Sequence, residues 1–308
     1  MIKTGFVYDD FFLKHTPPDG HPDSGERLLA IIAELKKAGL WDKLIHIKPK
    51  MASYEDIGRV HSEDYINKLL GFGTGFIDED TYISEETLSS GLYATGAVIE
   101  AVSRCRQGEI QRAFCAVRPP GHHAEKDVAM GFCIFNNVAV GARYAQSIGY
   151  NKVFVIDFDA HHGNGTQHIF EDDDSVFFFS THQFPYYPDT GKELERGREK
   201  GEGFTYNVTI KAGSGNKDFL YVYQDILPGL IFRYKPDIVL VSAGYDIHTA
   251  DPFTDLWVSG EGVRGIVQSI LSSSNCPVVF TLEGGYDPVS LAECVRITIE
   301  EMLKNSQQ

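Results

Sequence analysis

The chain has 308 residues, 43% hydrophobic and 23% charged, enough to bury a sizeable core in one large domain or two smaller ones. Its net charge of −15 argues against non-specific binding to nucleic acid or to an anionic membrane; it suits a cationic substrate, although ordinary acidity is the simpler reading. Five dispersed cysteines without a CxxC pair, acidic residues early in the chain and no apolar run of about 18 residues argue against a disulfide framework, a signal peptide and a spanning helix. A reducing, cytoplasmic setting is the resulting expectation.

In chain order, a β-rich apolar run at 4–8 is followed by helical periodicity over 27–38 and 86–105. A strand at 113–117 leads into RPPGHHAEKD, which carries His122 and His123. A helix at 138–148 precedes a strand at 153–158, whose apolar residues give way to Asp157, Asp159, His161 and His162, then Gly163 and Gly165. A strand at 176–181 runs into His182, and the charged, glycine-rich segment 192–203 reads as an exposed loop. A helix at 219–234 precedes a strand at 238–242 and AGYD, with Asp246. A helix at 262–273 precedes a strand at 278–282 and EGGYD, with Tyr286, and 290–303 is again helical. This alternation predicts an α/β fold: one domain over 1–308, with a mostly parallel sheet flanked by helices on both faces.

Ligand sites in open parallel sheets lie beyond the carboxyl ends of the strands. Five of the strands predicted here end in chemistry-bearing residues. Unpaired buried charge is expensive, and a metal ion is the natural partner for Asp and His together. If strand geometry persisted to His161, then Asp157, Asp159 and His161 would share one face. The alternative is an Asp-capped helix start beside a hydrogen-bonded core histidine.

These segments resemble the zinc-dependent histone deacetylase family, which has the arginase/deacetylase fold. The resemblance runs from HPDSGER (21–27) and VHSEDYI (60–66) through RPPGHHA, GFCIFNN (131–137), DFDAHHGNGTQ (157–167) and AGYD to LEGGYDP. RPPGHHA together with HHGNGTQ is most similar to class II enzymes and their bacterial relatives, because Asn164 stands where class I has Asp. The resemblance implies that Asp159, His161 and Asp246 hold one zinc ion, leaving a fourth position for water. It implies that His122 and His123 manage protons, that Asp157 orients His122 and that Asn164 faces His123. An amide supplies less charge than a carboxylate, so His123 should hold its proton less tightly and be the better candidate acid. Tyr286 resembles the tyrosine that donates to the substrate carbonyl.

Gly131, Phe132, Tyr187 and Phe253 are implied as walls of an acyl-lysine tunnel, and Asp80 as a grip on the substrate backbone at its rim. Tyr187 adds a hydroxyl where the family usually has Phe. Polyamine-specific members place Glu near the Phe253 position, so a Phe argues mildly against that selectivity. A potassium ion is implied beside the zinc, at Asp157, Asp159, His161, Ser180 and Thr181. A second is implied at Phe170, Asp173, Val176 and Tyr206. His162 is left as a structural neighbour.

The implied activity is removal of acetyl or another acyl group from the lysine side-chain amine of a protein or peptide. Acetylpolyamines and small acylamides are alternatives for the same site. An arginase-like two-metal site would need further bridging ligands. A non-catalytic acyl-lysine reader is disfavoured because every catalytic position is filled. GFGTGF (71–76) and GSGNK (213–217) lack the strand context and GK[ST] of a nucleotide-binding loop and read as plain loops.

Overall fold

The structure, a computed structural model, describes residues 2–304, so the ends of the expected 1–308 domain lie outside the described residues. Its strands are β1 (Thr4–Val7), β2 (Ile45–Ile47), β3 (Gly75–Phe76), β4 (Tyr82–Ile83), β5 (Arg112–Cys115), β6 (Val153–Asp157), β7 (Val176–Gln183), β8 (Thr205–Ile210), β9 (Ile238–Ala243) and β10 (Val278–Leu282). Eight of them form one sheet in the order β2-β1-β5-β10-β9-β6-β7-β8. Every neighbouring pair in it is parallel. The main sheet is thus wholly parallel, where the sequence predicts a mostly parallel one, and β3 and β4 form a small antiparallel ribbon apart from it.

The apolar runs become central strands because both of their faces are covered. All residues of β5, β6, β7, β9 and β10 are buried. Each large apolar side chain removed from water in this way contributes about 1.5–3 kcal/mol. Helices Thr87–Arg106 and Asn137–Ser147 pack on one another and reach β5, β10, β6 and β9. Helices Glu26–Lys37, Gly260–Ser273 and Pro288–Leu303 form a second packed group.

The helix predicted over 219–234 is broken. Asn216–Tyr221 and Leu227–Tyr234 flank a π-helical turn at Val222–Ile226. Pro228 has no N–H to continue the ladder, and the wider turn absorbs the mismatch. Segment 192–203 is irregular apart from one 3₁₀ turn at Glu199–Gly201.

The order of the sheet places the site. β5, β10, β9 and β6 are consecutive, and adjacent strands lie about 4.8 Å apart. Their carboxyl ends therefore gather His122, His123, Tyr286, Asp246, Asp159 and His161 within a small region.

Candidate active site

β6 stops at Asp157, and the strand geometry does not continue to His161. Asp157 Oδ1 accepts the N–H of Asp159 at 3.1 Å, and Asp159 Oδ1 accepts the N–H of His161 at 2.9 Å. Two successive Asx turns, rather than strand alternation, bring Asp159 and His161 together. Beyond β9, Asp246 Oδ1 accepts the N–H of Ala160 at 2.9 Å. His161 Nδ1 lies 3.0 Å from Asp159 Oδ1 and 2.9 Å from Asp246 Oδ2. One ligand atom from each of the three lies within 4.8 Å of the others. Among the described residues no other cluster of three such side chains is close enough to hold an ion.

The backbone closes tightly around these carboxylates. A Cβ on Gly244 would sit 2.0 Å from Asp159 Oδ2, and one on Gly284 would sit 2.5 Å from Asp246 Oδ2. Burial, together with the charge of Asp159, pushes the Asp246 carboxyl up to about 7. Two buried carboxylates facing one imidazole make an anionic excess that a divalent cation would neutralise. The donor set, two carboxylates and one imidazole, fits zinc.

His122 and His123 follow β5, with ring centroids 4.0 Å apart. His122 Nδ1 lies 3.0 Å from Asp157 Oδ2, and His123 Nδ1 lies 2.7 Å from Asn164 Oδ1. Burial works against the charged form of both rings. For His122 the carboxylates of Asp157, Asp159 and Glu283 outweigh it and raise the pKa to about 10. For His123 burial prevails, reinforced by His122 and His161, and its pKa falls well below the ordinary value.

Glu283 was not legible as a site residue. It is fully buried, with Oε2 accepting the N–H groups of Gly121 (2.7 Å) and His122 (3.2 Å) and Oε1 accepting from Ser242 Oγ (2.9 Å). It therefore fixes the turn that aims the histidine pair.

A cavity of about 440 Å³ opens onto His123, His161 and Tyr286. All five residues expected along a tunnel, Gly131, Phe132, Tyr187, Phe253 and Asp80, line it. His21, Phe76, Glu79 and Tyr186 line it as well and were missed, although His21 opens the HPDSGER motif. Phe132 adopts φ +66°, and its N–H is held by Thr81 Oγ1 at 3.0 Å. Non-glycine residues rarely adopt this conformation, and here it turns the Phe132 ring edge-on to Tyr286, with centroids 5.9 Å apart. Asp80 Oδ1 accepts the N–H of Gly131 at 3.2 Å, which ties the rim to that wall. Phe253 packs edge-on to Tyr286 at 5.1 Å, and Tyr187 to His123 at 5.3 Å.

Tyr286 has two further supports that the sequence did not disclose. Asp251 Oδ2 accepts its N–H, and the Arg27 guanidinium lies 5.0 Å above its ring. Arg27 Nε donates to Gly285 O at 2.7 Å and Nη2 to Glu283 O at 2.5 Å. Burial raises the Tyr286 phenol well above its ordinary pKa, so it stays a donor.

The residues expected around potassium are partly brought together. Asp157 and Ser180 are register partners across β6 and β7. Ser180 Oγ lies 2.9 Å from His182 Nδ1, and the Thr181 hydroxyl lies 2.9 Å from that of Tyr223. Of the second set, the Asp173 carboxylate is engaged by Arg143 and by Ser175, while Tyr206 stacks on Phe179. His162 packs beside His182, with Nδ1 2.7 Å from Thr190 Oγ1 and Nε2 3.0 Å from Gln167 Oε1. A larger groove, about 940 Å³, runs along β8; neither the three-residue cluster, the histidine pair nor Tyr286 lines it.

The profile of the histone deacetylase domain matches residues 21–302. The chain belongs to the histone deacetylase family. A probable deacetylase of Archaeoglobus fulgidus is 36% identical to it, over 92% of this chain and 82% of its own length. Histone deacetylase 5 of Arabidopsis thaliana is 34% identical over 97% of this chain. The human polyamine deacetylase HDAC10 is 34% identical over 98% of it. This family member spans about half the length of those two relatives, 49% and 47%. The crystal structure of the HDA15 HD domain superposes with a TM-score of 0.95 at 31% identity, covering 99% of this chain and 90% of that one. The parallel sheet with flanking helices is thus the arginase/deacetylase fold in this histone deacetylase family member. Among its described residues no helix is long and apolar enough to cross a membrane.

Proposed function

We propose that this chain is a zinc-dependent amidohydrolase that removes acetyl or another acyl group from the side-chain amine of lysine in proteins or peptides. The observation that carries this reading is the convergence of Asp159, His161 and Asp246 with the histidine pair and Tyr286 at one aromatic-walled cavity. Asp159, His161 and Asp246 would hold the ion. When bound, zinc supplies Lewis-acid polarisation of the acyl carbonyl and activation of water.

The chain's own groups do the rest. His123, neutral at rest, accepts a proton from the attacking water at Nε2 and passes it to the amine nitrogen as the C–N bond breaks. The acid role expected from the sequence thus follows a base role, because a neutral imidazole must gain a proton before it can give one. His122 stays cationic against Asp157 and Glu283 and favours negative charge developing nearby. The Tyr286 hydroxyl donates to the developing oxyanion. Phe132, Tyr187 and Phe253 sheathe the methylene stem of lysine and keep water out, and Asp80 grips the substrate backbone at the rim. Potassium would be held at Asp157, Asp159, His161, Ser180 and Thr181, and a second ion near Phe170, Asp173, Val176 and Tyr206. The free cysteines support a reducing, cytoplasmic setting, and the continuous sheet supports a single catalytic domain.

Acetylpolyamine is the second reading. Glu79 and Asp80 at the cavity favour it, and Phe253 on the wall opposes it. A kcat/KM panel of acetyl-lysine peptide, longer acyl-lysine peptides and acetylputrescine tests both. The primary reading predicts the highest value for an acyl-lysine peptide. Preference for acetylputrescine would select the second, and turnover of none would reject both.

A further inference from the structure

Asn164 creates a problem that an aspartate would not. Both oxygens of a carboxylate accept, so either can face the His123 Nδ1–H. An amide has one accepting end and one donating end. If Asn164 presented its NH₂, His123 Nδ1 would have to be the unprotonated nitrogen. Nε2 would then carry the hydrogen and could not accept a proton from water.

The surroundings of Asn164 remove the ambiguity. Its Nδ2 donates to Glu125 Oε1 at 2.6 Å, with longer contacts to Met130 Sδ (3.4 Å) and the His123 carbonyl (3.5 Å). Its Oδ1 is thereby left for His123 Nδ1, at 2.7 Å. Glu125 is itself held. Its N–H donates to Val128 O at 2.9 Å, and its carbonyl lies 2.9 Å from His61 Nδ1. His168, one turn beyond Asn164 on the helix Asn164–Phe170, approaches the same Glu125 oxygen at 2.8 Å. The i, i+4 spacing puts both side chains on one face, where they grip one carboxylate. That helix lies close over the chain next to Glu125, since a Cβ on Gly165 would fall 2.2 Å from Ala124 O.

We propose that Glu125 is a positioning residue for His123, acting through the Asn164 amide to keep the proton on Nδ1 and Nε2 free to accept. The acceptor that an aspartate at 164 would supply unaided is here set by a carboxylate one side chain further out. This inference rests on the reading of His123 as the proton-transfer group.

The test pairs substitutions at 125 and 164 in the zinc-loaded enzyme, with an acetyl-lysine peptide as substrate. Glu125→Leu should lower kcat about 10- to 100-fold with little change in KM, the usual scale for losing an outer-shell partner. Glu125→Gln, which keeps an accepting oxygen, should retain most of the activity. In an Asn164→Asp background, Glu125→Leu should leave kcat unchanged or raise it, because a carboxylate has no donating end to misplace and loses a like-charged neighbour. Nitrogen-15 NMR of histidine-labelled, zinc-free protein should show His123 protonated at Nδ1 in the wild type and a mixture of tautomers in Glu125→Leu. Equal losses in both backgrounds would mean general structural damage and overturn the inference. So would an unchanged kcat or an unchanged His123 tautomer in Glu125→Leu. If the wild type turns over no acyl substrate, the functional reading fails instead, and the tautomer measurement still decides the role of Glu125.

Discussion

The backbone N–H of Tyr286 donates to Asp251 Oδ2 at 2.7 Å. The other oxygen of the same carboxylate accepts the N–H of Phe253 at 3.0 Å. One buried aspartate therefore sets both the proposed oxyanion donor and a tunnel wall. Tyr286→Phe removes only a hydroxyl and should lower kcat on the order of 10²-fold or more with KM little changed. Asp251→Ala should also lower kcat, through a displaced ring, and should cost about 1–3 kcal/mol for each N–H left without a partner. Steady-state kinetics with a denaturant melt of each variant checks both. Wild-type turnover by Tyr286→Phe would remove the hydroxyl from the mechanism.

The proposed metal site depends on glycine at 284. A Cβ there would lie 2.5 Å from Asp246 Oδ2 and 2.6 Å from Asp159 Oδ2. Gly284→Ala should therefore weaken zinc binding at least about 10-fold while the fold persists, and Asp246→Asn should weaken it further. Calorimetric titration with zinc, beside circular dichroism, measures the two effects separately. In the wild type, zinc at about 100 times its Kd should add about 2.7 kcal/mol to stability.

Stability should fall with acid through His61. Its Nε2 accepts the N–H of Asn136 at 2.9 Å and its Nδ1 lies 2.9 Å from Glu125 O, so the neutral ring uses both nitrogens. Burial lowers its pKa from 6.5 to about 4. The stabilisation is whole above pH 6.5. Between 6.5 and about 4 the unfolded chain binds a proton that folded His61 refuses, and this site loses about 1.4 kcal/mol per pH unit. Denaturant melts across that window should show a shallower slope for His61→Gln than for the wild type. Parallel slopes would rule His61 out as a source of the acid sensitivity.

The central strands were legible because their side chains are buried on both faces, which leaves continuous apolar runs such as VFVI at 153–156. The two edge strands of the main sheet, β2 and β8, were not. β2 has three residues, two of them exposed, and β8 reads TYNVTI, with three of its six residues only half-buried. The proposed metal ligands drew notice because charge at the end of an apolar strand demands a partner, and the family resemblance joined Asp246 to Asp159 and His161. Glu283, Asp251, Arg27 and Glu125 did not. Glu283 and Arg27 serve mainly backbone groups distant in the chain, as Glu283 does with Gly121; Asp251 reaches Tyr286, 35 positions away, as well as nearby Phe253; and Glu125 serves an amide 39 positions away. Spacing within a motif carries no trace of such contacts. The order of the strands in the sheet, which puts four chemistry-bearing ends side by side, is likewise a property of the fold.

Zinc dependence of turnover bears on all of this most directly. Metal-free protein titrated with zinc, with amine release from an acetyl-lysine peptide as the readout, should show activity rising from none to a plateau at one ion per chain. Asp246→Asn should show none at the same zinc concentrations. Turnover without zinc, or a plateau that needs two ions per chain, would contradict a single-zinc deacetylase held by Asp159, His161 and Asp246.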